Sequence, residues 1–124
     1  MNGKEYQELA MRTYDGAASF RLRQAQVDNI EIDTGAVLNA CLGLSGEVGE
    51  FNDMIKKWIF HEKPLDEEHL KKELGDVMWY MAMMCHAFGW DLDEIMQINI
   101  DKLRARFPEG FDVDRANHRE NNDV

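Results

Sequence analysis

Apolar residues recur along most of this chain at spacings of three and four, the period of a helix face, and strand-like alternation is nearly absent. The pattern predicts an all-α fold. A first helix is expected over about 4–14, with Tyr6, Leu9, Ala10 and Thr13 on one side, and Gly16 breaks it. The next segment, "AASFRLRQAQVDNIEI", reads equally as helix or as ordered loop. Asp33 and Thr34 offer an N-cap for a long helix reaching Phe60. Pro64 in "HEKPLD" then forces a turn, because it lacks the amide that a continuing helix needs.

A third helix is expected over about 66–88. Its second half, "VMWYMAMMCHAFGW", has no formal charge apart from a proton on His86, so it should be largely buried. Gly89 closes it, and "DLDE" opens a fourth helix with Asp91 as cap and Glu94 in capping-box position. Pro108 stops that helix. The expected fold is therefore a four-helix bundle over residues 1–111. The polar tail 112–124 has too little apolar surface to fold alone, and is expected to be disordered or laid against a partner subunit.

A chain of 124 residues suffices for one domain with a modest core. Its 44% hydrophobic and 31% charged residues are ordinary for a globular protein. No segment approaches the run of about 18 apolar residues of a membrane span. The start "MNGKEYQELA" lacks the pattern of a signal peptide, so a cytoplasmic location and no membrane association are expected. Cys41 and Cys85 lie among apolar residues and read as buried reduced thiols. A net charge of −10 disfavours nucleic-acid polymers, whose binding relies on Lys and Arg. A small phosphorylated ligand joined to acids by a divalent ion is compatible with that charge.

Candidate chemistry begins at "LSGEVGEFNDMIKK". Glu47, Glu50 and Asp53 stand three apart on one helix, where like charges are surface neighbours and repel. Asp53 has Lys56 and Lys57 nearby; Glu47 and Glu50 have no cation at neighbouring helical positions. "KKELGDVMWY" repeats the problem with Glu73 and Asp76, at the edge of the uncharged run. Gly43, Gly46 and Gly49 each cost roughly 1 kcal/mol relative to alanine in a helix, which implies close helix-to-helix approach. The same closeness brings the two acid pairs within reach of each other. Ionised carboxylates at a low-dielectric surface must be paired, neutralised or bound to metal. An all-oxygen set without Cys or His suits magnesium, with manganese as a substitute, whereas bundle di-iron sites show Glu-x-x-His pairs that are missing here.

The ordered set "GLSGEVGEFND", "ELGDVMWY" and "INIDKLRARFPEGF" resembles the all-α nucleotide pyrophosphohydrolases of the MazG-like group, from about Tyr6 to Phe111. The resemblance implies magnesium-dependent cleavage of a nucleoside triphosphate, ribo or deoxyribo, between the α and β phosphates, giving the monophosphate and pyrophosphate. Nucleotide-pool control or house-cleaning is the implied role. Glu47, Glu50, Glu73 and Asp76 match the family's metal-binding acids, with Glu47 chosen as the base that takes the water's proton and Glu50 beside it. Lys57 shares a stripe with Glu50 and is assigned to a phosphate; Tyr80, one turn beyond Asp76, is assigned to base or sugar. Asn99, Lys102 and Arg106 form a polar stripe that resembles the family's N-x-x-K segment, the two cations being assigned to phosphates. The apolar third helix and the resemblance both point to a homodimer or homotetramer. Two alternatives stand beside this reading: a phosphoribosyl-ATP pyrophosphohydrolase, and a non-catalytic helical bundle that binds metal or nucleotide. Trp58, Phe60, Trp79 and Trp90 offer a residue to stack on a base, but aromatics at helical spacing read first as core, and His61 reads as structural or exposed.

Overall fold

The computed structural model describes residues 1–118. Six helices occur among them, with no strand: α1 (Gly3–Met11), α2 (Ala18–Asp28), α3 (Thr34–Phe60), α4 (Glu67–Phe88), α5 (Leu92–Arg106) and α6 (Val113–Asn117). The all-α expectation holds, and α3, α4 and α5 begin and end close to where the caps and prolines place them. The ambiguous segment resolves as α2. Its start is held by Asp15, whose carboxylate accepts from the Ala17 N–H at 3.0 Å and pairs with Arg21.

Side-chain caps set the other starts. Asn2 and Glu5 form a capping box on α1, Asp33 accepts from the Ala36 N–H on α3, and Asp66 accepts from the His69 N–H on α4. Asp91 precedes α5 in extended backbone, but its side chain makes no capping hydrogen bond, so the expected box with Glu94 does not form. Gly89 ends α4 with φ of 72°, a left-handed conformation that glycine adopts without strain.

The α3–α4 hairpin is the framework, and the other helices pack on one another only slightly. The Asp33 N–H donates to the Ala87 carbonyl at 3.2 Å, tying the start of α3 to the end of α4 and setting an antiparallel register. The buried residues are small: Ala36, Ala40, Cys85 and Ala87. No large side chain among the described residues is fully buried. The expectation of a buried third helix is thus corrected for the single chain. Met78 is 56% and Trp79 58% exposed, because α1, α2 and α5 do not fold over α4. Trp58, Phe60 and Trp90, read from the sequence as core, are exposed for the same reason, although Trp90 stacks on Phe88 at 4.4 Å. Cys41 is likewise exposed, whereas Cys85 is buried as expected.

Part of the polar tail is folded. Asp112 caps α6, and Arg115 donates to the Arg106 carbonyl at 2.6 Å, so charge and capping rather than apolar burial hold this turn against the end of α5. Residues 119–124, the rest of the expected tail, lie outside the described residues.

Candidate metal centre

Antiparallel packing of two straight helices means that moving along α3 from 43 to 50 is matched by moving back along α4 from 80 to 73. The two acid pairs therefore meet in the middle of the hairpin. Glu47, Glu73 and Asp76 each present a carboxylate oxygen within 4.8 Å of the others. Glu50 lies beside Glu73 and is exposed, standing outside that set of three. The side chain of Glu73 is 13% exposed, and Glu47 Oε2 and Glu73 Oε2 are both buried without a hydrogen-bond partner.

Electrostatics at this point is that of crowded like charges. The Glu47 carboxyl is pushed up to about 7, first by its hydrogen bond with Glu73, then by burial and by repulsion from Glu50 and Asp76. The Glu73 carboxyl moves the other way, held down chiefly by the proton on Glu47. Without a cation, then, the crowding favours a proton on Glu47 over a further negative charge beside Glu73. A divalent cation would replace that proton and engage the two orphaned oxygens. The donor set fits a hard, oxygen-binding ion: three carboxylates converge, a fourth is adjacent, and neither Cys nor His belongs to the cluster.

One neighbour was underrated in the sequence. His69 stands one turn before Glu73, and its Nε2 lies 3.0 Å from Glu73 Oε1, so Glu73 has a polar partner opposite the cluster. The i, i+4 spacing was the available signal. Asp53 is neutralised by Lys57 at 2.7 Å and so is a member of a surface ion pair. That pair borders a cleft of about 310 Å³ at the hairpin turn, which also reaches Glu50, Glu73, Trp58 and Lys63. Lys57 is accordingly next to the acids, as its stripe implied.

Tyr80 lies on the opposite side of the cluster from the cleft, seated on α3 at Gly43. The α5 stripe is different. Asn99 and Lys102 make no hydrogen bond or ion pair with the acids among the described residues, where α5 meets the hairpin at most slightly. Arg106 is half-buried at the end of α5, where its carbonyl receives Arg115. The glycine expectation holds at one position of three. Gly43 sits against the facing helix, whereas Gly46 and Gly49 face open space.

Comparison with known proteins places this geometry in context. Residues 36–111 match the MazG nucleotide pyrophosphohydrolase domain. The match spans α3, α4 and α5, and so includes every acid of the cluster and the α5 stripe. Over 73 residues the chain is 34% identical to the gene 37 protein of Mycobacterium phage L5, a match covering 56% of this chain. The chain spans 64% of that relative's length. No solved structure matches it. No described helix is long and apolar enough to cross a membrane.

Proposed function

We propose that this chain, which belongs to the MazG nucleotide pyrophosphohydrolase family, hydrolyses nucleoside triphosphates to the monophosphate and pyrophosphate with magnesium held at the α3–α4 acid cluster. One observation carries the reading: two buried carboxylate oxygens, Glu47 Oε2 and Glu73 Oε2, receive no hydrogen bond from the surrounding described chain at a point where three acids converge. A structural role would leave them bonded, since an unsatisfied buried acceptor destabilises the fold. Magnesium at such a site supplies Lewis acidity toward phosphate oxygens and lowers the pKa of bound water.

The residues divide the remaining work. Glu47, Glu73 and Asp76, with Glu50 beside them, hold the ion, and Glu47 is the base that accepts the proton of the attacking water. Lys57, fixed by Asp53, faces the phosphates from the cleft side. Tyr80 meets the nucleoside on the other side of the cluster. Asn99, Lys102 and Arg106 reach the phosphates when assembly brings α5 against a hairpin. That assembly is a homodimer or homotetramer, because the exposed apolar faces of α1, α2, α4 and α5 have no cover among the described residues of one chain.

A panel of nucleoside triphosphates and phosphoribosyl-ATP, assayed with magnesium for pyrophosphate release, tests the reading. Release from nucleoside triphosphates, abolished by chelation and restored by magnesium, is the expected result. Tight, magnesium-dependent nucleotide binding with no turnover would replace the enzyme by a binding bundle, and turnover of phosphoribosyl-ATP alone would reassign the substrate.

A further inference from the structure

Gly43 and Tyr80 form a steric pair. A Cβ built on Gly43 would stand 2.2 Å from Tyr80 Cε1, 2.3 Å from Cζ and 2.4 Å from Cδ1, far inside any carbon–carbon contact. Three ring atoms are involved, so no small adjustment of one flexible atom removes the clash. Any side chain at 43 therefore displaces the ring or spreads the two helices. At Gly46 and Gly49 a Cβ would meet nothing within 4 Å, so the requirement is particular to Gly43 and is not a property of the glycine series.

The displaced residue would be one with a free functional group. Tyr80 is half-buried, its ring is met edge-on by Trp79 at 5.1 Å, and its hydroxyl makes no hydrogen bond within the described chain. The ring is thus held on two sides, while the polar end stays available to a ligand.

We infer that Gly43 is a positioning residue for nucleoside recognition: its missing side chain seats the Tyr80 ring against α3 and so fixes the hydroxyl of the residue one turn beyond Asp76. This rests on the assignment of Tyr80 to the nucleoside made above. Gly43 acts through Tyr80 and touches no substrate itself. Its substitution should weaken substrate binding while sparing the metal and the chemical step, because Glu47, Glu73 and Asp76 lie a turn or more away along the hairpin.

The test is a double-mutant cycle of Gly43→Ala and Tyr80→Ala in the assembled protein, reading KM, kcat and manganese affinity for each variant. Gly43→Ala should raise KM for the preferred nucleoside triphosphate about tenfold, with kcat within about threefold and manganese affinity within about twofold of the parent. In the Tyr80→Ala background, where the clash is gone, Gly43→Ala should add nothing. Tyr80→Phe, which keeps the ring and removes the hydroxyl, should reproduce most of the KM increase.

Parental KM in Tyr80→Ala would sink the assignment of Tyr80 itself. Raised KM in Tyr80→Ala with parental KM in Gly43→Ala would sink the role of Gly43 alone. So would equal falls in kcat and manganese affinity, which mark a general loss of packing. If Gly43→Ala does not fold, the comparison of the double variant with Tyr80→Ala decides. Matching kinetics uphold the inference, and a further rise in KM overturns it.

Discussion

The α3–α4 hairpin and the helices that flank it are both amphipathic, yet among the described residues only the hairpin packs extensively on itself. In the hairpin, caps at Asp33 and Asp66, the Asp33–Ala87 hydrogen bond and a seam of small residues set one register. That register is sufficient to bring Glu47, Glu73 and Asp76 together. The flanks are the opposite case: Phe20 on α2 and Met96 on α5 are largely exposed, although each belongs to an apolar face. The meeting of the three acids is therefore a property of two helices, while the described residues of one copy leave many large apolar side chains exposed. The buried set of Ala36, Ala40, Cys85 and Ala87 is too small to offset the conformational entropy of so many ordered residues.

If the hairpin alone builds the metal centre, the largest effect should come from its acids. Glu50→Gln preserves shape and removes one charge, and should reduce pyrophosphate release by about a hundredfold or more. Metal-free stability should stay equal or rise, since like-charge repulsion is relieved. Turnover near the parental rate would dismantle the four-carboxylate proposal. Lower stability with activity intact would turn the cluster into a structural salt-bridge network.

The flanks should fail by a different route. Sedimentation equilibrium at micromolar concentration is expected to report a dimer or larger, and Phe20→Asp or Met96→Asp should shift that equilibrium to smaller species or cause unfolding. A stable, well-folded monomer of the parent chain would erase the distinction drawn between hairpin and flanks.

Protonation sharpens the comparison further. Between 4.5, the ordinary value for glutamic acid, and about 7, the folded chain keeps a proton on Glu47 that the unfolded chain has released. The folded state then binds more protons than the unfolded one, so metal-free stability falls as pH rises through this window and levels off above it. Glu73, shifted downward, acts with the opposite sign and only at lower pH: its contribution is present above the ordinary value and disappears as pH falls through its own. Thermal melts of the metal-free protein against Glu47→Gln should isolate the first effect, which the variant lacks. Manganese affinity should weaken about tenfold per pH unit below about 7 as the ion competes with that proton. A flat affinity profile over that range would contradict the shared-proton pair.

The smallest effect belongs to the surface pair. Lys57–Asp53 is half exposed, so Asp53→Asn should move Tm by about 2 °C or less, as exposed ion pairs contribute little. KM is the more sensitive readout, because Asp53 orients a lysine assigned to phosphate.

Much of this was legible in the residues. Helix ends follow from short-range chemistry, since Asp33, Asp66, Gly89 and Pro64 act within one turn of themselves, and the acid pairs three apart mark one face without any knowledge of the fold. Where such local chemistry was weak, the expectation was weak too. The segment that became α2 lacks a side-chain cap on its own first residue and depends on Asp15 across the Gly16 break. The expected box at Asp91 also failed, because a cap needs side-chain orientation as well as spacing.

Taken by itself, the sequence determined the helical class, the helix limits, the paired acids and the family motif, because each depends on contacts within a few residues along the chain. Tertiary structure alone decided which acids converge. Glu47 meets Glu73 and Asp76 while Glu50 stands at the edge, and Gly43 rather than Gly46 or Gly49 receives the facing ring. These outcomes follow from the rotation and register of one helix against the other, and a shift of one residue along a helix turns a side chain by about 100° away from its partner. Helical spacing restricts that rotation to a face, and only the packed hairpin selects the residue.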